Sequence, residues 1–289
     1  MEAGHQIPLI GTCKAEIHYG ADEFDFRTLS RDIGADFFSD PKLNDPNRTE
    51  QLERAHCDIA LSVNWPTIIG EKPCEVFSMG ILNAHLGDLP RYRGNACPNW
   101  AILNDEEIID LCLHRMEPNS LDTGPVLHRT HMDISEQTYI GDVYSWFEDT
   151  LPDLAVGAMG KLDRLGEDAF TPQSEDPSTW LRCYPRRDDD SRIDWQKPAN
   201  DVLKLIRALS HPFGGAWTLL EGQTRVDIWR AEIFYHAGDF LAIPGQVMLS
   251  KDGDPIIACG EEALRVTQAT AEQNDARTLI SKSLRARLI

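Results

Sequence analysis

Short apolar runs alternate with polar stretches along the first half of the chain. The apolar runs have the length of buried strands and cover residues 8–13, 58–65, 79–86 and 109–116. Residues 45–57 have a helical spacing of apolar positions, with Asp45 placed as the N-cap. A longer helical pattern spans residues 135–168, in which Pro152 and Gly157 predict breaks. Strands that alternate with helices predict an α/β fold with a parallel sheet.

The second half has a polar linker, one amphipathic helix and several short strands. The helix is predicted over 198–210, because Val202, Leu205, Ile206 and Leu209 share one face. The glycine-punctuated strands are predicted within 215–222, 224–233, 245–250, 256–260 and 264–269. This spacing predicts a small barrel or an open β-sheet, and hence a second domain.

The composition is that of a globular protein with a strong negative charge. The 289 residues are 42% hydrophobic and carry 28 Lys/Arg against 47 Asp/Glu, a net charge of −19. Residues 1–185 hold 14 Lys/Arg and 32 Asp/Glu, whereas residues 186–289 hold 14 and 15. So acidic a chain argues against a protein that wraps nucleic acid or lies on an anionic membrane.

The cysteines and apolar runs indicate where the protein works. The seven cysteines are widely spaced and form no C-x-x-C pair, which argues against a disulfide scaffold or a zinc knuckle. No apolar run approaches the roughly 18 residues that a membrane span requires, and the N-terminal residues do not resemble a secretory signal. We therefore expect a protein of the reducing cytoplasm without a membrane partner.

The residues with the clearest chemical potential begin in the segment 80–103. Asn83 and His85 lie two apart in a predicted strand, which points both side chains to one face near the carboxyl end of the sheet. Open parallel sheets bind ligands at that end, although a polar strand end with a capped loop has the same pattern. Asp122 follows in a Gly/Pro turn and could be either a turn residue or a catalyst.

Four motifs occur in an order that is typical of one protein family. They are N-x-H at 83–85, LPRYRG at 89–94, WAIL at 100–103 and LDTGPVL at 121–127. The passages 192–218 and 245–266 extend the similarity into the second half. The chain resembles the formyltransferases that use N10-formyltetrahydrofolate, a family with methionyl-tRNA formyltransferases and nucleotide-sugar N-formyltransferases among its members.

The resemblance implies a two-domain architecture. A Rossmann-like parallel-sheet formyltransferase domain is expected over 1–183, and a small C-terminal OB-like β-barrel domain with a leading helix over 184–289. Relative to the family pattern, the chain opens at the end of the first helix. We therefore expect the first domain to lack its first strand and most of its first helix, which would expose strand edges.

The resemblance also implies the site residues. The catalytic trio falls on Asn83, His85 and Asp122. The amide would donate to the oxyanion that forms when an amine attacks the formyl carbon. The imidazole would take the amine proton or stabilise that oxyanion, and the carboxylate would orient the imidazole and raise its pKa. The residues that match the pterin-binding loop are Val63, Asn64, Trp65, Ile68 and Ile69.

The remaining candidates concern the substrate side and metals. Arg91, Tyr92 and Arg93 match the family's LP-x-YRG loop and are predicted either to contact the substrate or to anchor the loop. The chemistry requires no metal. His128 and His131 form an H-x-x-H pattern, but in an extended segment they point to opposite faces, so we predict no metal site.

Charge favours one acceptor over the others. A tRNA-binding enzyme is expected to offer a basic surface, so the acidic first half favours a nucleotide-linked amino sugar over methionyl-tRNA. Arg91, Arg93 and Arg115 are candidate cations for the nucleotide. A non-catalytic folate-binding homologue and a formyltetrahydrofolate hydrolase are further alternatives. Family analogy also allows a homodimer through the C-terminal region.

The loop after the N-x-H strand departs from the family pattern. Gly87-Asp88-Leu89-Pro90 stands where many relatives have Ser-Leu-Leu-Pro. The departure removes a hydroxyl and adds a carboxylate directly beside the predicted catalytic strand. It bears on a backbone or hydroxyl contact normally assigned to that serine, and on the substrate class.

Overall fold

The chain folds into two compact units, each built from segments that are separated in the sequence. A computed structural model describes residues 4–15, 20–236 and 240–289. The first unit contains the described residues of Met1–Cys97, Ile109–Met132 and Trp146–Cys183. The second contains those of Pro98–Ile108, Asp133–Ser145 and Tyr184–Ile289. The division into domains at 183/184 stays a prediction.

The described residues form strands and helices in the following chain order. The strands are β1 (Leu9–Thr12), β2 (Asp36–Ser39), β3 (Ala60–Val63), β4 (Ile81–Leu86), β5 (Arg93–Gly94), β6 (Ile108–Arg115), β7 (Val126–Asp133), β8 (Arg182–Cys183), β9 (Ala216–Leu220), β10 (Thr224–Ile233), β11 (Val247–Lys251), β12 (Asp254–Ala258), β13 (Ala263–Ala271) and β14 (Asn274–Asp275). The α-helices are α1 (Glu23–Ile33), α2 (Pro46–Arg54), α3 (Glu71–Glu75), α4 (Cys97–Leu103), α5 (Ile140–Leu165), α6 (Ala199–Leu209) and α7 (Arg277–Ile280).

The main sheet of the first unit is mixed rather than parallel. Its strand order is β3-β4-β6-β7, in which β3 pairs parallel with β4 and β4 pairs antiparallel with β6. β1 and β2 form a separate parallel pair, as do β5 and β8. The predicted all-parallel sheet is therefore wrong at β6. Apolar runs show that a strand is buried but do not give its direction, because the same pattern fits either orientation.

One face of the main sheet packs against the long helix α5. Leu82 of β4, Leu111 and Leu113 of β6 and Leu127 of β7 are almost fully buried in one core cluster with residues of α5. The predicted breaks at Pro152 and Gly157 are wrong, because α5 continues through both residues. Pro152 is exposed, so its ring and the missing N–H lie on the solvent side of a helix that packing holds in place.

Helix α1 and strand β2 of the first unit are among the elements that the apolar pattern does not predict. Helix α1 begins at a capping box formed by Asp22 and Asp25 and ends at Gly34, which has φ +74°. Strand β2 follows directly. The cap and the glycine are the local signals that mark this helix, since its exposed Phe24 and Leu29 obscure the amphipathic pattern. The predicted N-cap of α2 is confirmed, as Asp45 accepts from the backbone N–H of Asn47.

The second unit contains α6 and an antiparallel sheet of six strands. The strand order is β11-β12-β13-β10-β9, and β14 pairs with β13. Within the described ranges this sheet is open, so the predicted OB-like barrel is not confirmed. The chain end makes isolated bridges to both edges, from Leu288 to Leu220 and from Arg287 to Gln246. Val202, Ile206 and Leu209 of α6 are buried, as their shared face predicts.

The helices of the described residues do not have membrane-spanning character. None of them combines the length and the apolar character that crossing a bilayer requires. The cytoplasmic location stays a prediction.

Candidate functional site

The candidate site lies on the face of the main sheet opposite α5. Leu82 and Ala84 of β4 belong to the core beneath α5, so the alternating residues Asn83 and His85 point to the other face. The antiparallel register places His114 of β6 opposite Asn83 and Cys112 opposite His85. Folding thus adds a second histidine to the N-x-H pair.

His85 is held by a backbone carbonyl on one side and faces a carboxylate on the other. Its Nε2 lies 2.7 Å from the carbonyl oxygen of Tyr92, and its Nδ1 lies 3.6 Å from Oδ2 of Asp122. A carbonyl can only accept, so Nε2 carries a proton that it donates to Tyr92. Burial lowers the pKa of His85 below its ordinary value, although the Asp122 charge opposes this effect. The neutral ring with the proton on Nε2 is therefore the resting form, with Nδ1 left as a proton acceptor.

Asp122 is a buried carboxylate at the centre of the cluster. Its Oδ2 accepts from the backbone N–H of Gly94 at 2.8 Å, and its Oδ1 lies 3.4 Å from Nε2 of His114. Burial by itself raises the pKa of Asp122, but the contacts with His114, His85 and Gly94 hold the pKa below its ordinary value. The residue adopts φ +55°, a conformation that favours Asp, Asn or Gly in a turn. Asp122 therefore stays ionised beside the two imidazoles.

His114 is the residue of this cluster that sequence reasoning missed. Its Nδ1 lies 3.1 Å from the carbonyl oxygen of Arg115, and its Nε2 lies 3.3 Å from Nδ2 of Asn83. With the Asp122 contact, His114 joins the predicted amide to the predicted carboxylate. Within the apolar strand pattern of 109–116 nothing marks His114 as a site residue, because only the β4–β6 register reveals that it faces Asn83.

Gln173 connects the Asp122 turn to the LPRYRG loop. Its Nε2 donates to the carbonyl oxygens of Asp122 and Gly124 at 2.9 and 2.7 Å. Its Oε1 accepts from Nε and Nη2 of Arg93 at 3.1 and 2.6 Å, and the Arg93 guanidinium also lies over the ring of Trp180. These contacts fit the loop-anchoring alternative for Arg93.

The other predicted substrate residues have different surroundings. Arg91 lies 3.7 Å from Asp88, and Tyr92 is 2% exposed and contributes its carbonyl oxygen to His85. Arg115 is bonded to Glu167 at 2.8 Å and lies over Phe170, which packs against the α5 core. The structure therefore does not bring Arg115 to the Asn83–Asp122 cluster.

The predicted pterin loop is anchored at its far end. Asn44 donates to the carbonyl oxygen of Ile68 and accepts from the N–H of Gly70, at 3.0 and 2.7 Å. Ile69 is buried in a core cluster, and Trp65 packs against that cluster. The near end is more open: Val63 and Ile68 are exposed, and Asn64 has φ +51°. Exposed apolar side chains beside a fixed backbone suit a flat aromatic ligand, whereas Ile69 contributes to the core.

Gly87 explains part of the departure from the family loop. A Cβ atom at this position would lie 2.6 Å from Nε2 of His85 and 2.6 Å from the carbonyl oxygen of Tyr92. Such distances are closer than van der Waals contact allows. Glycine thus makes room for the His85–Tyr92 hydrogen bond.

We expect Gly87→Ala to lower the free energy of unfolding by about 1–3 kcal/mol, the usual cost of forcing an extra carbon into a packed site. Chemical denaturation of the purified variant measures this loss. Gly157→Ala is the matched control, because a Cβ there meets its nearest atom at an ordinary 3.7 Å within α5. The control should be as stable as the parent or slightly more so. A Gly87→Ala protein with unchanged stability would contradict the tight contact.

Comparison with known proteins places the chain in a family. The family model described as "Formyl transferase" matches residues 18–157, and the model described as "Formyl transferase, C-terminal domain" matches residues 186–280. A methionyl-tRNA formyltransferase of Cereibacter sphaeroides is 32% identical over 246 residues, covering 85% of this chain and 76% of that protein. A methionyl-tRNA formyltransferase of Caldanaerobacter subterraneus is 31% identical over 232 residues, covering 79% of this chain and 71% of that protein.

Solved structures support the same fold. HypX from Aquifex aeolicus in complex with tetrahydrofolic acid matches with a TM-score of 0.66 at 18% identity, covering 95% of this chain and 47% of HypX. The chain thus spans about half the length of that protein. WlaRD, a sugar 3N-formyl transferase, matches with a TM-score of 0.55 at 14% identity, covering 94% of this chain and 100% of WlaRD. At these identities the likeness concerns the fold alone.

The fold and the two family matches define a formyltransferase with a C-terminal domain. The chain belongs to the formyltransferase family. It is an N10-formyltetrahydrofolate-dependent formyltransferase with a mixed-sheet α/β domain.

Proposed function

We propose that the chain formylates a primary amine and that Asn83, His85 and Asp122 carry the chemistry. The observation that supports this most directly is the contact set of His85. Its Nε2–H is held by Tyr92, while Nδ1 lies 3.6 Å from a buried carboxylate. This arrangement suits a general base that becomes positively charged during the reaction.

Each residue of the trio has a separate task in this proposal. Nδ1 of His85 accepts the proton that the amine loses as its nitrogen bonds to the formyl carbon. Asp122 stabilises the resulting imidazolium, and the same proton then returns to the departing folate nitrogen. Asn83 donates from its amide to the formyl oxygen while that oxygen is negatively charged, which is commonly worth about 3 kcal/mol per donor. Tetrahydrofolate leaves with hydrogen on the nitrogen that carried the formyl group.

We assign His114 the role of a positioning residue. It contacts both Asn83 and Asp122, at 3.3 and 3.4 Å, and is 1% exposed. The Asn83 amide nitrogen carries two N–H donors, and its contact with His114 limits the directions in which that amide can turn. His114 thereby fixes the direction in which Asn83 can donate.

For the folate cosubstrate we propose the loop from Val63 to Ile68, with backbone groups holding the pterin edge. The exposed side chains of Val63 and Ile68 offer apolar contact to the ring, and Asn44 keeps the far end of the loop in place. Trp65 is half-buried and bonded to Thr67, which suits a supporting role. Ile69 supports the loop from the core.

The acceptor that charge favours is a nucleotide-linked amino sugar. The first 185 residues carry 32 acidic against 14 basic side chains, which disfavours a polyanion as large as tRNA. A small nucleotide needs only a few local cations, for which Arg91 and Arg93 are the candidates near the site. WlaRD and similar sugar formyltransferases show that this fold accommodates such acceptors in relatives.

A specific observation also favours methionyl-tRNA as the second candidate. The relatives at 31–34% identity carry the name methionyl-tRNA formyltransferase. Their similarity extends across most of this chain, including the C-terminal half, where the balance of charges is close to neutral. Tight binding of an initiator tRNA would therefore have to overcome the charge of the first half at physiological salt.

An acceptor panel distinguishes these candidates. The purified chain is incubated with N10-formyltetrahydrofolate and either dTDP-linked amino sugars, methionyl initiator tRNA, or buffer, and tetrahydrofolate release is followed. We expect release with a sugar nucleotide and none in buffer. Release with methionyl initiator tRNA and with no sugar nucleotide would identify methionyl-tRNA as the acceptor. Release in buffer at the same rate would identify a hydrolase, and failure to release under all conditions would contradict catalysis.

A further inference from the structure

A half-exposed arginine joins three groups beside the site that the proposed mechanism does not use. Arg129 lies on β7, and its Nη1 contacts Oδ1 of Asp88 at 3.3 Å and Oδ2 of Asp110 at 3.1 Å. Its Nη2 donates to the carbonyl oxygen of Leu89 at 3.0 Å. One planar guanidinium therefore connects β6, β7 and the first residues of the loop that follows β4.

The Asp110 side of this network needs a cation. Asp110 is 5% exposed, and burial together with the neighbouring Asp88 charge raises the pKa of its carboxyl group. Arg129 opposes that effect through its charge and its hydrogen bond. Because Nη1 of Arg129 contacts both carboxylates, its charge offsets the repulsion between them. The arginine is thus fixed in place by Asp110 on one side.

The loop side of the network leads directly to His85. Asp88 and Leu89 are the two anchored residues, and Tyr92 follows three positions later in the same turn. The Tyr92 carbonyl oxygen accepts from Nε2 of His85 and from Sγ of Cys97, at 2.7 and 2.9 Å. Tyr92 itself has φ +55°, so its carbonyl direction depends on how the loop is held.

We propose that Arg129 is a positioning residue that holds the Asp88–Tyr92 loop so that the Tyr92 carbonyl fixes His85 with its proton on Nε2. The proposal rests on the proposed function for its effect on catalysis, but not for its effect on the imidazole. The same proposal explains both residues of the Gly87-Asp88 departure from the family loop. Gly87 makes room for the His85–Tyr92 bond, and Asp88 supplies a second anchor for Arg129. Gly87, Asp88 and Arg129 thus act together to set the tautomer of His85.

The test compares Arg129→Met and Arg129→Lys with the parent. The first readout is the ¹⁵N NMR signature of the His85 ring in histidine-labelled protein, assigned with a His85→Gln variant. The second is kcat and the KM for N10-formyltetrahydrofolate with the acceptor found in the panel. Lys161→Met is the matched control, because Lys161 lies on α5 and donates to the carbonyl oxygen of Leu127, a residue of the same strand β7 as Arg129.

We expect Arg129→Met to give a mixture of His85 tautomers and to lower kcat by on the order of ten- to a hundredfold, the range for a misplaced catalytic group. The KM for the folate should change less than about twofold, because the pterin loop is not involved. Arg129→Lys keeps a cation for Asp110 but has no planar guanidinium to reach Leu89 as well. Its His85 tautomer and its kcat should therefore lie between those of the parent and those of Arg129→Met. The control should match the parent in both readouts.

Two results would overturn the proposal. One is a folded Arg129→Met protein whose His85 tautomer is unchanged, whatever its kcat. The other is an Arg129→Lys protein that is indistinguishable from the parent in both readouts. If Arg129→Met does not fold, the Arg129→Lys result by itself supports or contradicts the proposal. A changed tautomer with an unchanged kcat would instead confirm the positioning and contradict the role of His85 in the proposed function.

Discussion

Replacing His85 with alanine is expected to lower kcat by on the order of a thousandfold, within the usual range for loss of a general base. The reason is that Nδ1 of His85 is the proton acceptor that faces Asp122, and the amine loses its proton as the new bond forms. The KM for N10-formyltetrahydrofolate should stay near the parent value, since the pterin loop is separate. Steady-state kinetics with the acceptor found in the panel measures both constants.

The histidine control and the pH profile sharpen this prediction. His128→Ala removes an exposed histidine on β7 and should leave kcat unchanged. Because burial lowers the pKa of His85, the neutral base persists below about pH 6.5, and kcat should fall only in more acidic buffer. A His85→Ala enzyme with more than a tenth of the parent turnover would remove His85 from the mechanism. A kcat that already falls above pH 6.5 as the buffer is made more acidic would contradict the neutral resting form of His85.

Replacing Asp122 with asparagine is expected to lower kcat by on the order of a hundredfold or more, because the imidazolium formed at His85 loses its counter-charge. Asparagine has nearly the same shape, tolerates φ +55° and can still accept from the Gly94 N–H. The protein should therefore fold. Since the Asp122 charge raises the pKa of His85, its loss should also move the acidic limb of the kcat profile to still lower pH.

Asp252→Asn is the matched control for this change. Asp252 also has a positive φ, +54°, and lies in the exposed turn between β11 and β12 of the other unit. Its substitution should affect neither kcat nor the pH profile. If Asp122→Asn lowers stability but leaves the kcat of the folded enzyme intact, the carboxylate is a structural turn residue and not part of the chemistry.

The local part of the site could be predicted from the sequence. The N-x-H spacing on an apolar strand is sufficient to place Asn83 and His85 on one face, and the LDTG turn points to Asp122. The first prediction depends only on the two-residue period of a strand. Turn chemistry alone leaves Asp122 as either a turn residue or a catalyst, and the family resemblance selects it. The structure brings all three side chains to one cluster, although their roles stay proposals.

The long-range part could not be predicted. His114 enters the site because β6 runs antiparallel to β4, and no pattern within either strand gives that direction. Gln173 and Arg129 act across 51 and 40 positions of sequence, through contacts to Asp122 and Leu89. Such partners are set by tertiary packing, which a single sequence does not record.

The Gly87-Asp88 pair shows how a departure from a family pattern is resolved by structure. In the sequence it only signals the loss of a serine contact. In the fold, Gly87 lies against Nε2 of His85, and Asp88 meets Arg129 at 3.3 Å. The change therefore alters the surroundings of His85 and gives Arg129 a carboxylate partner.

The fate of a labelled formyl group tests the central claim most directly. The parent enzyme and His85→Ala are each mixed in excess over N10-[¹³C]formyltetrahydrofolate and the acceptor amine, and the labelled products are followed by ¹³C NMR. We predict that the parent converts the label into the formamide of the acceptor in a single turnover, while His85→Ala does so far more slowly. Label recovered as free formate, or formamide formed equally fast by both proteins, would contradict the account.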